Sequence, residues 1–370
     1  MPVSERSAMR NATFNRAVTL ISGTVGMLPV NLIEKLSDGR KQRADGHPVQ
    51  RLLRVRTNKW QEPGQFKSYM QGRALLHGNA YAFKVPGLRG VQALVPMDPC
   101  RVQVGLSEDY DIAYTWTRND GTKKAFRRDE VLHLRAPWSS DGITGDGLLR
   151  LASESLGLAH AADMAAARLL RNGSYVGGAL KHPKHMSVDA IQRLRQQLDQ
   201  NYSGPENAGR WMVLEEGMDA QAFGMSGRDA QGLEQRKHQA EEISRFTGVP
   251  RPLLMFDETS WGSGIEQLGL FFVTYCLLPW FTQWEEAVAN ALLTEAERER
   301  YIVKFNEAAL LRGSLKDQAE FLAKALGGPG AGGYMLPDEA RDKFDMNPLE
   351  DGLGTKPAWL APETTTDAQP

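Results

Sequence analysis

Apolar residues recur at helical spacing from the start of the chain. Phe14, Ala17, Val18, Ile21 and Val25 fall on one face, so residues 4–27 read as a helix that Pro29 closes. Val30 to Ile33 is a short apolar run before the turn signal Ser37-Asp38-Gly39, which predicts a small hairpin. His47 to Arg54 predicts a second helix, with Pro48 in its first turn. Phe66 to His77 predicts a third, ended by Gly78-Asn79. Short runs bounded by Gly and Pro follow: 80–85, 91–96, 102–104, 114–117, 125–128 and 131–135. Asn119-Asp120-Gly121 among them is a strong hairpin turn. Residues 1–150 thus read as an α+β domain with an antiparallel sheet.

From Leu148 the pattern changes. Residues 148–172 are rich in Ala and Leu and lack Pro, which predicts a helix of about 25 residues, roughly 37 Å long. Residues 175–225 read as a compact β-α-β-β insert. Its helix is capped by Ser187-Val188-Asp189 and faced by Ile191, Leu194 and Leu198, with strands at 176–180, 211–214 and 220–223, the last two paired. A charged helix follows over 229–246, then a loop over 250–264, then a helix over 265–293 in which Pro279 predicts a kink. Residues 301–305 predict a strand returning to an earlier sheet. Helices at 315–326 and 338–344 flank a Gly-rich joint, and the Pro- and Thr-rich tail reads as disordered.

Composition alters this picture little. The 370 residues are 41% hydrophobic and 24% charged, as in ordinary globular chains. The formal net charge of −1 argues against a protein that coats nucleic acid by bulk positive charge. That balance conceals an asymmetry, with 23 Lys+Arg against 14 Asp+Glu over residues 1–150 and 10 against 19 over residues 251–370. The ends therefore suit different partners, or neutralise one another between subunits. The N-terminus has no apolar core of signal-peptide type, and the apolar stretch 268–281 is too short to span a bilayer.

Candidate chemistry is sparse. No G-x-x-x-x-G-K-[ST] or His-Glu-x-x-His occurs. His182 and His185 flank Pro183, which spoils any helix that would aim both rings at a metal. His133, in an alternating strand pattern, reads as a structural histidine. Gly328 to Gly333 matches G-x-G-x-x-G but follows a helix instead of a strand, and reads as a flexible joint. Glu285 and Glu286 read as a solvated face, and Glu108, Asp109 and Asp111 as a solvated acidic turn. Cys100 and Cys276 show no base partner in sequence and read as packing residues. No catalytic residue, cofactor or metal ligand emerges.

The order of elements resembles the phage portal protein family, of the short siphophage type. The resemblance is carried by Gly78-Asn79-Ala80-Tyr81, Leu94-Val95-Pro96-Met97, His133-Leu134-Arg135 and Gly145-Asp146-Gly147-Leu148-Leu149. It continues through Asn172-Gly173, Gly177-Gly178-Ala179-Leu180, Asn207-Ala208-Gly209-Arg210 and Val213-Leu214-Glu215-Glu216-Gly217-Met218, and ends with Gly248-Val249-Pro250 and Leu278-Pro279-Trp280. It covers residues 13–295, and the last 60 residues match only in general character. The chain begins almost at the first helix, so the N-terminal arm of longer relatives is expected to be absent.

The resemblance implies an α+β portal-type fold with a wing at 1–147, stem helices at 148–174 and 226–248, and a small α/β clip insert at 175–225. It implies a tunnel loop at 249–264, a long kinked helix and return strand at 265–312, a short helical crown at 313–350, and a disordered tail at 351–370. By the same resemblance the tunnel loop offers Arg251, Met255, Phe256, Trp261 and Ser263 to DNA in the channel. The stem offers Arg236, Lys237 and Glu241, a mixture of signs that suits weak, sequence-blind contact, since many Lys/Arg contacts would grip the duplex. The clip offers Asn207, Arg210, Glu215 and Glu216 to the packaging motor. The implied protein is not an enzyme and needs no cofactor. It forms a ring, usually of twelve subunits, at a capsid vertex of the virion, assembled in the host cytoplasm without a membrane. Its partners are the terminase large subunit, the major capsid protein, head-completion or adaptor proteins, and double-stranded DNA passing without sequence specificity. The competing readings are a head-tail connector that binds protein only, and a metal-dependent nucleic-acid-processing enzyme of the packaging system.

Overall fold

The structure, a computed structural model, describes residues 3–36, 40–88, 90–172, 178–181, 187–201, 219–222, 228–255, 264–307, 315–328, 331–343 and 346–357. The chain divides into two compact units, one of residues 1–15 and 152–246 and the other of residues 16–151 and 247–370.

Helices dominate the first unit and the segments that lead into and out of it, of which residues 16–27 and 148–151 belong to the second unit. The predicted helix over 4–27 is interrupted. α1 (Glu5–Ala8) is capped by Ser4, and α2 (Ala12–Met27) starts anew where Asn11 Oδ1 accepts the N–H of Phe14 at 3.0 Å. Asn at that position competes with the helix for backbone donors and restarts it. The helix expected over 148–172 also divides, into α5 (Leu148–Leu151) and α6 (Ser153–Asn172), with Glu154 in the first turn of α6. Of the expected insert, α7 (Val188–Asn201) forms, and strand Gly178–Lys181 pairs antiparallel with strand Asp219–Ala222. The strand expected at 211–214 lies outside the described residues. The charged helix is α8 (Arg228–Thr247).

The second unit holds three separate three-stranded antiparallel sheets where one sheet was expected. In the first, β1 (Val30–Lys35) pairs with β2 (Lys41–Arg43) and, on its other edge, with the returning strand Tyr301–Phe305 in the register Val30 to Phe305. The second has β3 (Asn79–Gly87) at its centre, between β4 (Gly90–Met97) and β8 (Val131–Arg135). The third runs β5 (Val102–Leu106), β6 (Ile112–Thr117), β7 (Lys123–Arg127). With β9 and β10 as the pair in the first unit, the returning strand is β11. α3 (Pro48–Arg54) and α4 (Pro63–His77) complete the N-terminal part. Each of the three β1–β8 sheets is small because its strands pair locally; only β11 and β8 close over long loops.

The long helix is α9 (Gly264–Phe271), a π-helical stretch Phe272–Leu277, and α10 (Leu278–Leu292). The irregularity expected at Pro279 therefore falls in the turn before it. Proline lacks an N–H for the preceding turn and its ring crowds that carbonyl, and a widened turn absorbs both effects. α10 packs on β8 and β11 and supplies the centre of the core. Trp284 is 1% exposed, and its indole N–H donates to Gln71 Oε1 at 2.8 Å. The Phe281 and Phe305 rings stack at 4.6 Å, and the Phe305 N–H donates to Glu285 Oε1 at 2.9 Å. Glu285 is thus a structural acceptor for β11, where a solvated face was expected.

α11 (Glu295–Arg300), α12 (Leu315–Leu326) and α13 (Pro337–Lys343) complete the helices. Between the last two, β12 (Gly327–Gly328) pairs antiparallel with β13 (Ala331–Gly332), so the Gly-rich motif read as a flexible joint carries a pair of strands. A 3-10 turn covers Glu350–Thr355, inside the segment read as tail, and residues 358–370 lie outside the described residues. No helix among the described residues is long and apolar enough to cross a membrane.

Trp284→Phe is expected to lower unfolding free energy by about 1–3 kcal/mol by leaving the buried Gln71 carbonyl without its donor. The double variant Gln71→Leu/Trp284→Phe should recover part of that loss in urea titrations, because both buried polar groups are then gone.

Candidate functional site

Two of the sequence motifs, Gly78-Asn79 and Gly145-Asp146-Gly147, meet in the second unit. α4 ends with Gly78 in the left-handed conformation, φ 81°. A side chain at Gly78 would also collide with the backbone of Gly145 and Gly147, and one at Gly147 with the carbonyl of Leu76. Only hydrogen at these Cα positions lets the two chains touch. Asn79 then clamps Gly145 in both directions. Its Oδ1 accepts the Gly145 N–H at 2.9 Å, and its Nδ2 donates to the Gly145 carbonyl at 3.0 Å. Ala136 N–H donates to the Gly78 carbonyl at 2.8 Å.

His133 extends the clamp. Its Nε2 lies 2.9 Å from Asn79 Oδ1, an acceptor, so Nε2 carries the proton. Nδ1 then accepts the Tyr114 hydroxyl proton at 3.1 Å. The imidazole is packed against Tyr81 at 4.6 Å and Tyr114 at 5.6 Å. Burial pushes its pKa down to about 3, with the Arg135 charge acting in the same direction. Burial pushes the Tyr114 phenol up to about 12. His133 is a neutral structural histidine, as its strand pattern suggests. The loop after it is held by Asp141, which accepts the N–H groups of Ile143 at 2.8 Å and Thr144 at 2.7 Å and takes the Thr144 hydroxyl at 2.6 Å. Those bonds hold the Asp141 carboxyl well below the usual range. The clamped loop delivers the chain into α5.

The segments flanking the predicted tunnel loop are fixed as firmly. After α8, Gly248 takes φ 71° and the chain enters a 3-10 turn, Arg251–Leu254. Leu253 is held by Arg16, whose Nε donates to its carbonyl at 3.2 Å. Val249 and Leu254 are buried, and buried Cys276 donates its thiol to the Thr247 carbonyl at 3.4 Å. Met255 then turns out, 77% exposed and left-handed at φ 64°. Arg251 is half-buried beside it. Phe256, Trp261 and Ser263 lie outside the described residues. On α8, Lys237 is exposed, while Glu241 is half-buried and faces Arg245 at 3.4 Å. His238 lies 3.6 Å from Glu242. Arg236 belongs to α8, but its side chain is not among those described. Asn207, Arg210, Glu215 and Glu216 also lie outside the described residues.

One candidate reads differently in three dimensions. Cys100 is exposed, and its Sγ lies 3.7 Å from His77 Nδ1, a neighbour 23 residues away that sequence spacing does not reveal. Cys276 is a packing residue; burial pushes its thiol up to about 12. Among the described residues no group of three or more His, Cys, Asp or Glu is placed to hold a metal ion.

His133 makes the second unit acid-sensitive. The unfolded chain takes up a proton near pH 6.5, the folded one only near 3, so stability falls as pH drops below about 6.5, by up to about 1.4 kcal/mol per pH unit. Denaturant titrations between pH 6.5 and 5 should show this slope, and His133→Gln should flatten it. Gly78→Ala should cost about 2 kcal/mol or more from the left-handed backbone alone, read as a lowered thermal midpoint.

A family model described as phage portal protein matches residues 12–345. The portal protein of Enterobacteria phage HK97 is 30% identical over 362 residues, covering 95% of this chain and 82% of that protein. The probable portal protein of Streptomyces phage phiC31 is 31% identical over 381 residues, covering 96% and 78%. Among solved structures, a chain of the virion of a native gene transfer agent particle superposes with a TM-score of 0.68 at 23% identity, covering 93% of this chain and 92% of that one. An HK97-family phage portal protein from Corynebacterium diphtheriae gives 0.59 at 20% identity, covering 84% and 97%.

Proposed function

This chain belongs to the phage portal protein family, and from that premise we propose that it forms the ring-shaped channel at one capsid vertex through which double-stranded DNA is packaged and ejected. The observation that carries this is the family match from residue 12 to residue 345, which takes in both units. A match of that reach gives no separate support to a protein-only connector or a metal-dependent nuclease.

The parts follow from the order of elements. α6 and α8, each of 20 residues, flank the β9-α7-β10 insert, which supports a two-helix stem carrying a clip. Most of the second unit, from α2 through β8 with α10 and β11, would be the wing; α12 and α13 would form the crown. Residues 249–264 would be the tunnel loop, rising from the anchored base at Val249 and Leu254, exposing Met255 and offering half-buried Arg251 to DNA, with Phe256, Trp261 and Ser263 further along. Arg236, Lys237 and Glu241 of α8 would face the channel. Close cations and carboxylates, as in Glu241 with Arg245, leave little net charge with which to hold phosphates. Asn207, Arg210, Glu215 and Glu216 of the clip would meet the motor.

The ring would close by a heterologous contact, one surface of each copy against a different surface of the next. Twelve copies are the expected number; a similar chain comes from a gene transfer agent neck computed with C12 symmetry. The terminase large subunit would supply the energy, so the chain itself needs no catalytic step or cofactor. The major capsid protein and head-completion or adaptor proteins would be its other neighbours, in a particle assembled in the host cytoplasm.

Shortening residues 256–263 tests the loop assignment. Ring assembly should be unchanged, because the base of the loop is held independently of it. Packaged DNA per particle, measured by nuclease protection, should fall at least tenfold. Normal packaging by the shortened chain would remove the loop from the channel.

A further inference from the structure

Between Asp45 and Glu62 the chain carries four cations and no acid: Arg51, Arg54, Arg56 and Lys59. All four are exposed. Arg51 and Arg54, three apart in the last turn of α3, share a helix face and suit its negative end. The helix dipole does not account for Arg56 and Lys59, which lie beyond the helix. Arg51, Arg54 and Lys59 form no salt bridge among the described residues. Asp45, whose carboxylate the Arg54 charge also reaches, is bonded to Arg43, with one of its two contacts at 2.9 Å.

The loop carrying these charges is rigid. Thr57 and Asn58 are buried. Thr57 Oγ1 donates to the Leu52 carbonyl at 2.8 Å, and the Thr57 carbonyl accepts the Leu94 N–H at 3.0 Å. Asn58 Nδ2 donates to the Leu94 carbonyl at 2.9 Å, and its Oδ1 accepts the N–H groups of Trp60 at 3.0 Å and Gln61 at 2.7 Å. Arg56 is used internally, donating to the carbonyls of Asn58 and Lys59, each at 3.1 Å. The result is a fixed platform on which Trp60 stands 63% exposed beside the free cations. Beneath it the buried Lys67 ammonium donates to the Leu28 carbonyl, with no carboxylate beside it. Burial lowers its pKa to about 8, and the Arg54 charge adds to the effect. Positive charge is concentrated here at a cost to the folded chain, and it is offset only in part, through Arg54 and the Asp45 carboxylate that Arg43 already holds.

We infer that Arg51, Arg54, Lys59 and Trp60 form a binding surface for the phosphate backbone of double-stranded DNA, separate from the channel-side segments. The inference rests on the portal reading for the presence of DNA. A polyanion without sequence demands is the partner that unpaired, exposed cations on a rigid support select, and Trp60 offers a flat face for the sugar edge. Arg56, already bonded within the loop, is excluded from the contact, which leaves three phosphate contacts.

The test is an anisotropy titration of the full-length protein with a 30-base-pair duplex between 50 and 200 mM NaCl. Arg51→Glu/Arg54→Glu/Lys59→Glu should weaken binding at least tenfold and reduce the log–log salt slope by about 2.7, as three lost phosphate contacts require. Trp60→Ala should weaken binding without altering the slope. The triple alanine variant serves if charge reversal disturbs folding, which the thermal midpoint reports. Unchanged affinity and slope overturn the inference. So does a triple variant that keeps DNA binding but loses its ring, which assigns the surface to contact between copies. Retained DNA binding with lost affinity for polyglutamate assigns it to an acidic protein and also overturns it. A wild-type chain that never forms a ring defeats the portal reading yet leaves the titration readable, since it requires only folded chain.

Discussion

Asn79 makes the connection on which the rest of the second unit depends. The helix–strand corner at residues 77–79 and the loop at 145–147 lie 66 residues apart from Asn79 to Gly145, and the glycines on each side leave no Cβ between them. They meet instead as bare backbone, glycine against glycine, with one carboxamide satisfying both polar groups of Gly145. Contact of this kind is unforgiving, because a single methyl group separates the chains and strands buried polar atoms. His133 and Tyr114 carry the same network into the third sheet, so three parts of the unit share one set of hydrogen bonds. The loop so fixed sets where the chain enters α5.

That arrangement explains what could be read from the chain beforehand. Local rules served well where the answer was local. The 3.6-residue spacing placed α2 and α7, the Gly and Pro bounds of short runs placed the strands of residues 79–135, and Gly78 was recognised as the stop of α4. Rules of that kind could not foresee that these strands sort into three sheets, because pairing across long loops is decided by packing. β11 docking on β1, and Glu285 reaching the N–H of Phe305, belong to the same class. The approach of Cys100 to His77 was hidden for the same reason. The motifs Gly78-Asn79 and Gly145-Asp146-Gly147 were visible as a family likeness, but their physical partnership was not. Asn11, which restarts the helix, was not read as a break at all, whereas Pro279 was seen and the irregularity falls in the turn before it.

The segments proposed to line the channel share a design with that clamp. The base of the loop at 249–254 is anchored by buried Val249 and Leu254 and by the Arg16 bond to Leu253, and Met255 leaves it in a left-handed turn, a conformation that costs a non-glycine residue about 1 kcal/mol or more. A firm base under an exposed tip suits a segment that meets a moving polymer. The charge pattern is consistent with the same role. α8 sets opposite charges one turn apart, whereas a run of exposed cations without an acid in sequence sits elsewhere, at residues 51–59. A protein that must let DNA slide in one place and hold it in another would separate its charges in this way.

The central claim is a closed ring built from this chain, and the mass of the purified full-length assembly by native mass spectrometry tests it most directly. The account predicts a single species of about twelve chains, with a central hole in negative-stain images. A monomer or an isologous dimer that persists at high concentration and in the presence of capsid protein would contradict it.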